Sequence, residues 1–250
     1  MSDAETQRIQ REKVFHDSAF SDDRRKSVKK YYGLLNQTAA DFVQILTTQN
    51  LTNKNILEYG CGKGSHAFQL SQMGAIVTGI DISTTAIEQA TAHAKSLQLS
   101  GIQFLEMNAE NLKIQNNEID LICGSGILHH LDLEKATSEI ARVLKPGGEG
   151  LFIEPLENNP IIKLYRKLTP KMRTPDEHPL TNNDMKTLES KFKNVDMKFY
   201  YLTSLIMLPF TRMPGVRILV KYLNKLDQLI FKYIPASRMW AWQVIIQLKK

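Results

Sequence analysis

A short apolar run, Asn55-Ile56-Leu57-Glu58-Tyr59, ends in Gly60-Cys61-Gly62-Lys63-Gly64-Ser65 and is followed by an amphipathic segment. Glycines at 60, 62 and 64 let the backbone turn sharply and approach a ligand without Cβ clashes, so the stretch reads as a strand, a glycine-rich turn and a helix. The spacing is GxGxG, and its third glycine comes one residue early for the dinucleotide fingerprint GxGxxG. Loops also use glycine for backbone reasons alone, so the rest of the chain must decide whether a ligand sits here.

From Asn55 onward, short apolar runs alternate with amphipathic segments: NILEY, a helix from Ser65, AIVTGID, a helix from Ser83, IQFLEM, EIDLICG, a helix from Asp132, and EGLFIE. Strands alternating with helices indicate a parallel sheet in a doubly wound α/β layer. Ser83 and Asp132 are good N-cap residues before periodic apolar faces. Lys145-Pro146-Gly147-Gly148 is expected to stop the second of these helices and turn the chain into the next strand. Residues 1–50 read as a polar helical cap, 51–155 as the α/β core, and 156–250 as a continuation of the same domain. That continuation holds a Pro-rich loop, a helix from Thr181 to Phe192, and two strand-like runs, NVDMKFYYL and MWAWQVIIQL, separated by an insertion at 203–239.

Bulk properties narrow the function classes. At 250 residues the chain supports one full core with decorations rather than two catalytic domains. Cys61 and Cys123 lie far apart without a metal-ligand pattern, and the polar N-terminus is unlike a secretory leader, so a cytoplasmic protein with reduced thiols is expected. No run approaches the roughly 18 apolar residues of a membrane-spanning helix. The formal charge of +6 is concentrated late: Arg212, Arg217, Lys221, Lys225, Lys232 and Arg238 in the insertion face Asp227 alone. These basic residues are interleaved with bulky apolar ones and no recognition motif is visible, which argues against nucleic acid. A basic, apolar helix of this kind suits a peripheral contact with membrane lipid.

Asp81 ends the second strand about 20 residues past the glycine turn, where an acidic side chain in such a fold accepts both hydroxyls of a ribose. The plain reading of a carboxylate there is a helix cap, but Ser83 already offers one, so a nucleoside ligand accounts for both features. Asn108, Ala109 and Glu110 follow the third strand, where an amide and backbone N–H can address an adenine edge. Gly124 and Ser125 follow the fourth and can meet the other end of the ligand. All four strand ends point to one crevice.

Taken in order and at these spacings, EYGCGKG, GIDIS, MNAENL, LICGSGILHHL and RVLKPGG resemble the class I S-adenosylmethionine-dependent methyltransferases, and within them the small-molecule group of the ubiquinone and menaquinone biosynthesis enzymes. The resemblance covers about residues 50–155 and implies a seven-stranded, mostly parallel Rossmann-like sheet with helices on both faces, an N-terminal helical cap and a helical insertion before the last strand. It implies S-adenosylmethionine as cofactor and S-adenosylhomocysteine as product. Glu58 and the turn holding Gly60, Cys61, Gly62 and Gly64 would carry the methionine portion, Asp81 the ribose, Ile82 the adenine face and Asn108-Ala109 the adenine edge. The family often has Asp where this chain has Asn108, which removes a charge and keeps an acceptor.

Methyl transfer needs a general base only where the acceptor holds its proton at working pH. His129, His130 and His178 are the catalytic candidates, with His16, Glu154 and Glu177 as further acid–base groups. His16, Tyr31 and the neighbouring Phe15 and Tyr32 are candidates to close over the sulfonium, since aromatic faces favour a cation. In VRILVKYLNKLDQLIFKYI, Leu219, Tyr222, Leu223, Leu226, Ile230 and Tyr233 share one helical face and Arg217, Lys221, Asn224, Gln228 and Lys232 another. The first face is expected to pack on the domain or to line an apolar acceptor pocket. The acceptor expected is a small apolar or amphipathic, even lipid-like, metabolite, methylated at oxygen or carbon rather than nitrogen. A nicotinamide-dependent oxidoreductase and a non-catalytic cofactor-binding or membrane-docking protein are the rival readings; the oligomeric state is left open.

Overall fold

The computed structural model describes residues 3–22 and 33–250. Tyr31 and Tyr32 lie outside the described residues. Seven strands form one sheet: β1 (Asn55–Tyr59), β2 (Ile76–Asp81), β3 (Ile102–Glu106), β4 (Ile119–Ser125), β5 (Leu144–Pro155), β6 (Asn194–Tyr200) and β7 (Gln243–Lys249). Their spatial order is β3-β2-β1-β4-β5-β7-β6. The first five are parallel, and β7 runs antiparallel between β5 and β6. The expected Rossmann-like sheet is therefore present, including the antiparallel pair at the end of the chain. Strand order reverses between β1 and β4, and a crevice opens at such a switch point beyond the carboxyl ends of the strands.

Eight α-helices are described: α1 (Asp3–Asp22), α2 (Gln37–Thr47), α3 (Ala67–Gln72), α4 (Thr84–Ser96), α5 (Leu133–Val143), α6 (Pro160–Leu168), α7 (Asn182–Lys191) and α8 (Val216–Tyr233). Local chemistry starts several of them. The Ser83 hydroxyl accepts the Ala86 amide at 3.1 Å, and Asp132 accepts that of Lys135 at 3.3 Å. Asn159 caps α6 ahead of Pro160, and Thr181 and Asp184 form a reciprocal capping box on α7. Two cores lie on opposite faces of the sheet, because successive strand residues point to opposite sides. Ile56 joins Phe42, Leu46 and Leu70 on one side, while Leu57 joins Ile122, Phe152 and Ile246 on the other. Strands buried on both faces are the reason NILEY and DLIC read as continuous apolar runs.

Three local expectations change. Lys145–Gly148 continues from Leu144 as the start of β5, with a register shift against β4, so α5 ends at Val143. The helix expected from Ser65 starts at Ala67, and Met239 and Trp240 belong to a 3₁₀ segment, Pro235–Trp240, rather than to the last strand.

The largest change concerns α8. Its inward face is Val216, Val220, Asp227 and Phe231, whereas Leu219, Tyr222, Leu226 and Tyr233 face solvent, Tyr222 at 64% and Tyr233 at 71% exposure. Of the apolar set read from the sequence, only Leu223 packs against the core clusters. The cause is Asp227, wholly buried. Its carboxylate accepts hydrogen bonds from the Leu202 and Thr203 amides at 2.9 and 2.8 Å and from the Thr203 and Ser204 hydroxyls at 2.6 and 2.9 Å. A buried carboxylate satisfied by several donors turns the helix toward its polar anchor and leaves the apolar stripe outside.

Candidate functional site

The carboxyl ends of β1, β2, β3 and β4 surround a cavity of about 520 Å³. Gly60 and Gly62 come from the turn after β1, Asp81 and Ile82 from the end of β2, Asn108, Ala109 and Glu110 from beyond β3, and Ser125 and His130 from the end of β4 and the turn after it. Gly60 has φ of +68°, and a Cβ there would lie 2.8 Å from Ile127 side-chain carbons, so glycine is required by both backbone and space. Asp81 is held rigidly: its carboxylate accepts the Gly62 amide at 2.8 Å and the Ser83 amide at 2.9 Å. Each oxygen keeps a second lone-pair direction for a further donor.

The roof is α1. Arg8, Glu12, His16 and Phe20 recur every four residues and present one stripe to the cavity. The helix is tied down by charge rather than by apolar packing. Arg8 donates to both oxygens of Glu110 at 2.6 Å and to the His130 carbonyl at 3.2 Å. Arg11 grips Asp176 with two bonds of 2.8 Å, Lys13 pairs with Glu106, and Asp17 accepts from Ser83 and Thr85. Lys63, in the glycine turn, donates to the Phe20 carbonyl at 3.2 Å. A polar helix thus spans the crevice from the β4 end to the β1 turn. Arg8, Glu12 and Asp17 were not among the residues expected from the sequence, although the four-residue recurrence of the stripe is visible there.

One end of the cavity carries a buried acid–base cluster. His130 Nδ1 lies 3.1 Å from Glu12 Oε2, and His16 Nε2 lies 3.4 Å from the same oxygen. Burial works to raise the Glu12 carboxyl, but hydrogen bonds from His130, His16 and Thr174 outweigh it and hold the group well below the usual carboxylate range. Behind His130, His129 Nδ1 sits 2.7 Å from Glu154 Oε2, while Glu154 Oε1 accepts the Ile127 and Leu128 amides at 2.9 and 2.8 Å. Burial lowers the His129 imidazole, against the pull of Glu154.

Among the residues expected from the sequence, Gly60, Gly62, Asp81, Ile82, Asn108, Ala109, Glu110, Ser125, His16 and His130 line this one cavity. The others do not. Glu58 is buried below the turn and accepts the His66 and Ala67 amides at 2.8 and 2.9 Å, capping α3; burial pushes its carboxyl up to about 8. Cys61 is fully buried and burial pushes its thiol up, so it is a packing residue of the turn. Gly64 approaches Phe68, and Gly124 lies against the Tyr59 carbonyl between β4 and β1. His129 stands behind His130, and His178 meets the cluster through its backbone amide, which donates to the His129 carbonyl at 3.1 Å.

Residues 57–152, which hold the glycine turn, the clamped carboxylate at the end of β2 and the strand ends around the cavity, match the family model described as a methyltransferase domain. The chain is 32% identical over 133 residues to the ubiquinone biosynthesis O-methyltransferase of Coxiella burnetii, covering 53% of this chain and 55% of that one. It is 34% identical over 122 residues to the demethylmenaquinone methyltransferase of Lactococcus lactis, covering 47% and 48%. The chain thus spans about half the length of the curated relatives it matches. In fold it is similar to a Haemonchus contortus phosphoethanolamine N-methyltransferase solved with phosphomonomethylethanolamine and S-adenosylhomocysteine, at a TM-score of 0.61 and 16% identity over 84% of this chain and 52% of that one.

Proposed function

We propose that this chain is a cytoplasmic S-adenosylmethionine-dependent methyltransferase whose acceptor is a small apolar or amphipathic molecule. The observation that carries the reading is the Asp81 carboxylate, fixed by the Gly62 and Ser83 amides at the floor of a roofed cavity. The fit is supported by the volume of that cavity, which lies within the usual range for small-ligand sites, and by the glycine turn at its edge, where a Cβ at Gly60 has no room. Asp81 would accept the ribose hydroxyls, Ile82 would cover one adenine face, Asn108 and Ala109 would meet the adenine edge, and Gly60 and Gly62 would give the methionine portion close backbone approach. S-adenosylmethionine supplies an electrophilic methyl group on sulfur and leaves as S-adenosylhomocysteine.

The protein's own part is positioning and the exclusion of water, which α1 performs by closing the crevice. His130 is the one of the three catalytic candidates that lines the cavity, and its imidazole, beside Glu12 and His16, would be the group to receive a proton from the acceptor. An end of this kind suits an acceptor that loses a proton on methylation, which favours oxygen or carbon over nitrogen. The glycine spacing and the match to methyltransferases count against a nicotinamide cofactor. Calorimetry with S-adenosylhomocysteine is the direct test: binding to the wild type, lost in Asp81→Ala, supports the reading, and no binding to the wild type overturns it. Radiolabelled methyl transfer into a lipid and metabolite extract then separates an enzyme from a non-catalytic binder.

We also propose that 203–239 touches an anionic membrane surface. No helix among the described residues is long and apolar enough to cross a membrane. The outward stripe of α8, formed by Ile218, Leu219, Tyr222, Leu226, Leu229 and Tyr233, runs beside a row of Arg217, Lys221, Lys225 and Lys232. An exposed apolar stripe flanked by basic residues is the pattern of a helix lying in the headgroup region. Co-sedimentation with anionic vesicles at physiological salt, reduced by Leu226→Glu, is expected. Failure of the wild type to pellet removes this part and leaves the methyl-transfer reading standing.

A further inference from the structure

Two imidazoles and a carboxylate converge beside the cavity in an arrangement that the methyl-transfer reading does not explain. His129 Nε2 lies 3.9 Å from Glu177 Oε1, and His130 Nε2 lies 4.0 Å from Glu177 Oε2. Both separations are too long for hydrogen bonds. The three ligand atoms all lie within 4.8 Å of one another. An ion with bonds of about 2.0–2.1 Å holds tetrahedral ligand atoms about 3.3 Å apart, so the three ligands would have to close by about 0.5–1.5 Å around it. Glu177 is carried by the loop between α6 and α7, which can supply that movement more readily than the sheet can.

The other ring nitrogens carry the stronger indication. His129 Nδ1 is 2.7 Å from Glu154 and His130 Nδ1 is 3.1 Å from Glu12, both carboxylates being buried. A carboxylate holding Nδ1–H fixes the tautomer, so the Nε2 lone pair is the free one, and this outer arrangement is what metal-bound histidines ordinarily have. Here it occurs on two adjacent histidines whose free nitrogens face one acidic residue. Arg166 pairs with Glu177 Oε1 at 2.6 Å and Arg173 stands 3.8 Å away, orienting the carboxylate and leaving Oε2 directed at His130. Glu12, Glu154 and Glu177 together outnumber these two guanidinium groups, so the surroundings retain negative charge for a cation.

We propose that His129 Nε2, His130 Nε2 and Glu177 bind one borderline divalent transition-metal ion of the zinc class, with water in the remaining position. Two imidazoles and one carboxylate suit such an ion and are poorly matched to magnesium or calcium, which prefer all-oxygen sites. The site does not depend on the cofactor reading.

The test uses the full chain stripped of metal and titrated with Zn²⁺ by calorimetry and with Co²⁺ by visible absorption. One equivalent per chain is expected, lost in the His129→Gln/His130→Gln double variant and weakened about 10–100-fold in Glu154→Gln, which leaves the three ligands in place and keeps an oxygen for the Ile127 and Leu128 amides. X-ray absorption on the zinc-loaded wild type needs no variant, and it should show the imidazole scattering of two histidines. Absence of saturable binding, equal affinity in the double variant, or a zinc shell without imidazole overturns the proposal. S-adenosylhomocysteine titrated into the same samples reports on the cofactor site separately.

Discussion

Asp17 Oδ1 accepts a hydrogen bond from the Ser83 hydroxyl at 2.6 Å, while the same hydroxyl accepts the Ala86 amide and so caps α4. The roof helix is thereby fastened two residues beyond Asp81, the residue that would hold the sugar. Hydrogen bonds to charged groups contribute about 1.5–3 kcal/mol, so Asp17→Ala is expected to speed S-adenosylhomocysteine dissociation by about tenfold or more with the fold retained. Stopped-flow displacement checks this, and an unchanged off-rate would mean that α1 does not control the ligand's exit.

Gly60→Ala is expected to destabilise the protein and to abolish cofactor binding. The left-handed backbone costs about 1–2 kcal/mol for a residue with a Cβ, and contact with Ile127 adds an overpacking cost of about 1–3 kcal/mol. Combining it with Ile127→Ala should cost less than the two single changes together, because the contact is shared. Urea unfolding of the four proteins measures the difference, and strict additivity would show that the Ile127 contact is irrelevant.

Stability should fall in acid through Glu12. Its folded-state pKa is depressed, so its contribution is complete above the ordinary carboxylate value of 4.5 and is lost as the pH drops below that toward the folded value. The protection of α1 amides from hydrogen exchange, relative to the unfolded chain at the same pH, is expected to fall below about pH 4.5 in the wild type, and Glu12→Gln should be less protected at neutral pH and lack this step. Identical profiles for the two proteins would contradict it.

Glu58 acts with the opposite sign. Burial raises its folded pKa to about 8, so between 4.5 and that value the folded chain keeps a proton that the unfolded chain releases. Stability from this group therefore declines as pH rises through that window, with a slope approaching about 1.4 kcal/mol per pH unit. In Glu58→Gln the decline should be absent, which denaturant unfolding at intervals from acid to mildly alkaline pH can measure.

What could be read from the sequence was local or periodic. NILEY and EIDLICG announce strands through apolar runs buried on both faces, Ser83 and Asp132 announce helix starts, and the glycine turn with Asp81 marks the crevice, because each signal is complete within a few residues. The roof was legible only as a helix. Its contacts, such as Arg8 with Glu110 and Glu12 with His130, join charges more than 100 positions apart, and a polar helix shows no apolar face from which to infer its partner. The rotation of α8 was hidden for a related reason. Apolar periodicity identifies a stripe but not the side it faces, and here the deciding residue is polar, Asp227, whose partners lie at 202–204. The placing of Glu177 against His129 and His130 likewise follows from the path of a loop that no local pattern encodes.

Because α8 is moored through Asp227, Val216, Val220 and Phe231, its outer residues carry little of the burden of folding. Substitutions at Ile218, Tyr222 or Leu229 can thus accumulate without unfolding the domain, and whatever that surface touches can be exchanged over evolutionary time while the crevice beneath stays the same.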